Sequence, residues 1–282
     1  MRRRAPMRRQ GPAAAPGGVR RDYPGFIEPC LATARTTFPT RGEWLHEIKQ
    51  DGYRAQAHLI NRRSIVYSRN GYDWTDTFAS IAHALRALPA KDVILEGEVV
   101  VQDERGISDF RLLEQDLASG RTGRLIYWAF DVLHLDGVDV RQVPLVNRKR
   151  ILKELLSTIP ETGCIQFSKH IEADGAAVFK QACSMHFEGI VSKERNSPYR
   201  SGRQETWIKV KCRQSDTYPI IAFVEKLGAK PRRIASLYLG RWEGDRLLYA
   251  GKRRPDFDTK PCTSSASCSI RTSARHRRCR CR

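Results

Sequence analysis

The 282-residue chain has no stretch approaching the roughly 20 apolar residues that a membrane-spanning helix needs, so a helical membrane protein is excluded. It contains no Gly-x-x-x-x-Gly-Lys-[Ser/Thr] segment and is therefore not a P-loop protein. A dinucleotide-binding glycine fingerprint and a nucleophile-elbow serine are also missing. His46, His58 and the other histidines show no metal-ligand spacing and read as core or surface imidazoles. Four of the eight cysteines (Cys262, Cys268, Cys279, Cys281) crowd the C-terminal end, and Cys30, Cys164, Cys183 and Cys212 are scattered through the body. That spacing fits neither a disulfide framework nor a zinc site, and the expectation is reduced thiols in a cytosolic protein. Acidic residues are absent from both ends: residues 1–21 hold seven Arg and residues 262–282 hold six.

Most of the formal net charge of +19 therefore sits at the two tips, and the body is moderately basic. A polyanion such as nucleic acid is the natural partner of such a chain. Residues 1–21 are Arg, Pro, Gly and Ala without apolar periodicity, and read as a disordered basic leader or a misassigned start rather than a transit peptide. Order is expected from about Tyr23. Residues 44–49, 53–60, 64–68, 92–101, 125–133, 188–193 and 206–211 have strand character, and Asp51-Gly52 marks a tight turn. Helical spacing covers 76–88, 108–118 (opened by Ser108), 147–158 and 173–186. This is an α+β pattern with antiparallel sheets, not a regular βαβ alternation. After Cys212 come short strands without helices, at 218–225, 234–242 and 246–250, the texture of a small β-barrel such as the OB-fold. The domains expected are thus a leader at 1–21, a catalytic domain at 22–212, a partial OB-fold at 213–260 and a disordered Cys/Ser/Arg tail at 261–282.

Residues 47–54, EIKQDGYR, carry the sharpest chemical signal. They put Lys49 at a strand end, where it can be aimed at a reactive atom, with a tight turn and then Arg54 returning toward the same place. A lysine nucleophile must be neutral, so its pKa has to fall through burial or neighbouring cations. Lys209 and Lys211 alternate within WIKVK and so point to one face of a strand. Taken alone, that alternation reads more readily as an exposed strand with solvated lysines on its outer face. Glu96 and Glu98 share one strand face, and Glu188 opens another strand. Such carboxylates supply the hard oxygens that divalent cations and phosphate chemistry require, although any one of them could instead pair with a surface lysine.

Six segments, KxDGxR at 49–54, SRNG at 68–71, EGE at 96–98, FDVLHLDG at 130–137, EGIVSK at 188–193 and WIKVK at 207–211, stand in the order of the covalent nucleotidyltransferases. With FIEPCLAT at 26–33 and EGIVSKERNSPYRSGR at 188–203, residues 23–252 resemble bacterial ATP-dependent DNA ligases of the end-joining type. The resemblance implies an antiparallel-sheet, ATP-grasp-like adenylation domain followed by an OB-fold. It implies ATP and Mg²⁺ or Mn²⁺ as cofactors and nicked or broken duplex DNA as substrate. It further implies end-binding and polymerase proteins of a repair complex as partners, and a bacterial cytoplasmic, nucleoid-associated location. By the same resemblance, Lys49 attacks the α-phosphorus of ATP. Glu47 and the backbone at Ile48 lie near the adenine, and Phe130 stacks on it. Arg54, Arg69 and Glu98 contact the ribose or the nick phosphate. Glu188, with Glu98, holds the metal, and Lys209 and Lys211 neutralise the α-phosphate and depress the pKa of Lys49.

At the C-terminus the pattern departs from the family. Arg253-Arg254-Pro255 replace an expected Gly-rich turn, and no final basic motif follows Pro261. The tail reads as an out-of-frame or degraded end; weak or absent self-adenylylation from ATP is the expected consequence, with sealing of an already adenylated nick better preserved. An RNA ligase or capping guanylyltransferase, and a non-catalytic binder of DNA nicks or ends, are the competing readings.

Overall fold

The computed structural model describes residues 17–39, 42–160, 162–212, 218–229 and 234–253. The C-terminal tail and nearly all of the basic leader, on which the expectations above rest, lie outside the described residues. The chain divides into two compact units, Met1–Arg213 and Gln214–Arg282.

The first unit is built on two sheets. One contains, in spatial order, β1 (Val19–Arg20), β8 (Val138–Asp139), β7 (Ile126–Leu135), β6 (Asp92–Val100), β4 (Tyr53–Ile60) and β5 (Arg63–Ser68), with β9 (Ile165–Phe167) also paired to β7. The other runs β10 (His170–Ile171), β3 (Trp44–Ile48), β11 (Gly189–Glu194), β12 (Gly202–Lys211), β2 (Cys30–Ala34). All pairings are antiparallel except β7–β9 and β12–β2. Four helices complete the unit: α1 (Ala79–Leu85), α2 (Phe110–Ala118), α3 (Leu145–Leu156) and α4 (Gly175–Ser184). The α+β class with antiparallel sheets is as the sequence pattern requires.

The main core gathers the apolar alternate residues of β4, β6 and β7 (Ala55, Ala57, Val93, Leu95, Val132) with Ile81 and Leu85 of α1 and Leu152 and Leu155 of α3. Strand periodicity places one set of side chains in this core and leaves the opposite set for the second sheet.

Four local readings are corrected. Order begins before Tyr23, because Val19 and Arg20 pair with Asp139 and Val138. Helix α1 is only seven residues long, since the chain before Ala79 turns onto the sheet. Asp109, not Ser108, caps α2, its carboxylate accepting from the main-chain N–H of Arg111 and Leu112. The Ser108 hydroxyl instead accepts from the N–H of Asp51, 2.9 Å away, in the turn after Lys49. Lastly, Cys183 and Cys212 are joined as a disulfide with Cα atoms 5.4 Å apart, whereas Cys30 and Cys164 are free. A separation of 29 residues carries no local signal; the pair meets because α4 packs on β11 and β3, and β11 is paired with β12, after which Cys212 follows.

The second unit is a three-stranded antiparallel meander of β13 (Ile220–Glu225), β14 (Ile234–Glu243) and β15 (Arg246–Arg253), the strand content expected of the partial barrel.

Candidate active site

Register alone assembles the site. Across β3, β11 and β12 the pairings Glu47↔Val191↔Lys209 and Lys193↔Trp207 put alternate residues of three strands on one face. Lys49 extends this pattern, its N–H donating to Gly189 O at 2.9 Å, and Gly189 pairs with Lys211. On the other sheet, Arg54↔Glu98↔Trp128 form a row, with Phe130 two residues further along β7. A cleft of about 200 Å³ lies between the two faces. Its walls include Glu47, Ile48, Lys49, Arg54, Arg69, Glu98, Phe130 and Lys209.

Glu188 and Lys211 complete the set at the mouth. Glu188 Oε2 accepts from Lys49 Nζ, and its Oε1 pairs with Lys211 Nζ at 2.7 Å. Eight of the ten residues given a role in the sequence analysis therefore line one cleft, and Glu188 and Lys211 join them through the pairing with Lys49. A detail differs from expectation: an acid, Glu188, stands between Lys49 and Lys211. The turn after Lys49 depends on Gly52, where a Cβ would lie 2.2 Å from Val99 O, so the backbone passes too close to β6 for any other residue.

Burial and charge set the protonation states. The Lys209 ammonium is held below its ordinary pKa, first by burial and then by Lys49, Lys211, Arg203 and Arg69. Its neighbour Lys211 is pushed up, chiefly by the hydrogen bond to Glu188. Burial raises Glu98 to about 7 despite the nearby cations Arg54 and Lys49, with Glu188 and Asp51 adding to the rise. Burial also raises Glu96, outweighing its ion pair with Arg54 at 2.8 Å; its other oxygen accepts from the Tyr199 hydroxyl at 2.6 Å.

Beneath the cleft lies a buried triad. Glu47 accepts from Lys149 at 2.9 Å on one oxygen, and on the other from Lys193 at 2.9 Å and Ser168 Oγ at 3.2 Å. Burial pushes the Glu47 carboxyl up, but the two ammonium groups prevail and hold it below the ordinary value. Its carboxylate is thus committed to the protein interior. Lys193 also lies 4.2 Å from the ring centroids of both Phe130 and Trp207, and the Arg54 guanidinium 4.5 Å from that of Phe130.

Sequence reasoning overlooked Lys149, Lys193, Gln50, Trp128, Ser168, Arg203 and Trp207. Lys193 and Trp207 were within reach, since both stand in quoted motifs and alternate with selected neighbours. Lys149 and Ser168 carry no local signal. Buried with no hydrogen-bond partner are the indole N–H groups of Trp128 and Trp207 and the amide oxygen of Gln50, all lining the cleft. Buried polar atoms without partners are rare, and these three belong to residues that line one cleft. No group of three or more His, Cys, Asp or Glu side chains among the described residues forms a ready-made metal cage. Glu188 and Glu98 nevertheless match a small hard cation, which takes one or two carboxylates and completes its shell with phosphate oxygens.

Residues 29–211 match the family model described as the ATP dependent DNA ligase domain. The multifunctional non-homologous end joining protein LigD of Pseudomonas aeruginosa is 36% identical over 249 residues, covering 86% of this chain and 29% of that protein. The SPbeta prophage-derived DNA ligase-like protein LigB of Bacillus subtilis is 31% identical over 188 residues, covering 66% of this chain and 67% of that one. Among solved structures, mycobacterial DNA ligase D complexed with ATP superposes with a TM-score of 0.59 at 26% identity, over 82% of this chain and 73% of that chain. The ligase domain of M. tuberculosis LigD gives 0.56 at 27%, over 80% and 71%. The chain spans less than a third of the length of the LigD proteins it matches. It belongs to the ATP-dependent DNA ligase domain family.

Proposed function

We propose that this chain is the adenylation core of a DNA ligase that joins nicked or broken duplex DNA through a lysyl-AMP intermediate on Lys49, in end-joining repair. The observation that carries this reading is that Lys49 and Lys209 line one cleft with the Phe130 ring, while Glu188 pairs with Lys49 and with Lys211 beside it.

In the first step, the Lys49 amine, having given up a proton, attacks the α-phosphorus of ATP. A P–N bond forms as the bond from that phosphorus to the bridging oxygen breaks, and pyrophosphate leaves. Phosphoryl transfer of this kind is chiefly positioning and charge neutralisation. Lys209 and Lys211 supply positive charge to the α-phosphate. Phe130 offers the stacking surface for the purine, which takes over ring area now facing Arg54 or Lys193. The main chain at Glu47 and Ile48 borders the base, while the Glu47 carboxylate, engaged by two lysines, keeps β3 in place. Arg54, Arg69 and Glu98 serve the ribose and later the nick phosphate. A divalent cation, Mg²⁺ or Mn²⁺, would be held by Glu188 with Glu98 and would neutralise phosphate charge. The pairing of Glu188 with Lys49 restrains the nucleophile before nucleotide arrives. In the second step the AMP passes to a 5′-phosphate, and in the third the 3′-hydroxyl attacks that phosphate and AMP leaves. Binding to DNA through phosphates makes the interaction salt-sensitive and independent of sequence. No described helix is long and apolar enough to cross a membrane. A cytoplasmic, nucleoid-associated site of action, beside end-binding and polymerase proteins, suits such an enzyme.

Mass spectrometry of the purified protein, before and after incubation with ATP and Mg²⁺ or Mn²⁺, tests the reading. The expected result is an AMP adduct on Lys49 that disappears in Lys49→Ala. An adduct on another residue, or no adduct together with no sealing of an already adenylated nick, overturns it.

A further inference from the structure

A second recess, of about 290 Å³, is lined by Arg21, Asp139, Arg141, Gln142, Arg200 and Ser201. Three segments distant in sequence build it. Arg21, just after β1, donates its N–H to Gly137 O at 3.0 Å, Arg141 follows β8, and Tyr199 N donates to Arg141 O at 2.7 Å. The local charge is three guanidinium groups against one carboxylate. Asp139 grips Arg141 with two bonds, Nε to Oδ1 at 3.0 Å and an Nη to Oδ2 at 2.7 Å, while Arg21 stands 3.9 Å away. The acid thus holds Arg141 in a defined orientation, and the recess keeps a surplus of two positive charges. Arg200 is exposed and makes no ion pair among the described residues.

Continuity with the cleft identifies the anion. Arg203, three residues beyond Arg200, lines the wall of the Lys49 cleft, and its strand partner Leu31 lines it too. The chain bends at Ser201 and Gly202 (φ 77°), so these three residues span at most about 10 Å, no more than roughly three nucleotides of axial rise along one DNA strand. We infer that the recess formed by Arg21, Arg141 and Arg200 binds a backbone phosphate of the DNA strand within about three nucleotides of the reacting 5′-phosphate. Guanidinium forks suit phosphate oxygens, and the Gln142 amide and Ser201 hydroxyl add neutral donors that tolerate any sequence. The inference rests on the ligase reading.

Nicked duplexes carrying a single neutral methylphosphonate at successive positions, titrated at several salt concentrations, test it. Arg200→Ala is expected to weaken binding several-fold and to reduce the slope of log affinity against log salt by about one. Arg111→Ala, on the exposed face of α2, leaves the slope unchanged. At one position within about three nucleotides of the nick, the methylphosphonate weakens the wild type but not Arg200→Ala. An unchanged slope in Arg200→Ala, or equal losses for wild type and variant at every position, overturns the recess. If the AMP adduct on Lys49 is found alongside that result, the recess fails alone. Absence of both the adduct and salt-dependent nick binding in the wild type removes both inferences.

Discussion

Lys149→Met probes the floor of the cleft most directly. The Lys149 side chain is fully buried, and its three N–H donors reach Glu47 Oε1 at 2.9 Å, Ser168 O at 2.5 Å and Phe130 O at 3.4 Å. One ammonium thus ties β3 of one sheet to β7 of the other. Breaking a buried ion pair by removing one partner costs about 3–5 kcal/mol, and a carbonyl left without its partner costs about 1–3 kcal/mol. Against this stands the penalty of burying Lys149 itself. Burial, opposed by Glu47, lowers its pKa from 10.5 to about 8, a cost that the variant no longer bears and that offsets part of the loss. Lys193 still partners Glu47 in the variant. The net expectation is a loss of about 2–4 kcal/mol, a substantial part of the 5–15 kcal/mol typical of a domain.

Urea unfolding at pH 7 measures that loss, with an unchanged slope showing that only stability moved. The ordinary lysine holds its proton to about 10.5 when unfolded, while folded Lys149 releases it near 8. Between these values the unfolded chain binds more protons, so this group makes stability rise with pH from about 8 to 10.5. That component disappears in Lys149→Met. Combined with Glu47→Gln, the losses should be far from additive, because both remove the same contact. A loss below about 1 kcal/mol, or strict additivity with Glu47→Gln, refutes the triad as a tie between the sheets.

Glu98→Gln addresses the other wall. Burial lifts the folded Glu98 carboxyl to about 7 from an ordinary 4.5, so the folded chain binds the extra proton and stability from this group falls as pH rises between those values. Glu98→Gln should be more stable than wild type at pH 8 by on the order of 1–2 kcal/mol, allowing for partial solvent screening, and the gap should close by pH 5 in urea titrations. Gly97→Ala should cost at least about 2–3 kcal/mol in thermal unfolding, since the new Cβ would lie 2.5 Å from the Tyr127 ring and 2.7 Å from Trp128 O. A near-neutral Gly97→Ala would mean that β6 and β7 do not approach as described.

Strands β3, β4, β6, β7, β11 and β12 were legible in the sequence because each is five or more residues with a clear apolar pattern, whereas β2, as long as β3 but reading CLATA, was missed. The pairs β1, β8 and β10 are two residues each, too short for any periodicity to register. Helix α2 was found, but its cap was misread because Ser108 and Asp109 both have the chemistry and only packing gives Ser108 to Asp51. The disulfide was missed because Cys183 and Cys212 approach through the docking of α4.

Sequence by itself determined which face of each strand the candidate residues share, because alternation along a strand is a local property of the backbone, and the roles expected of them came from the family resemblance. That put Lys209 with Lys211, and Glu96 with Glu98. Tertiary structure alone decided that the two faces oppose each other across one cleft, that Glu188 bridges Lys49 and Lys211, and that Lys149 reaches Glu47 from a helix 102 positions away. Those contacts depend on long-range register and on burial, which determines whether a lysine is solvated or must find every acceptor within the protein.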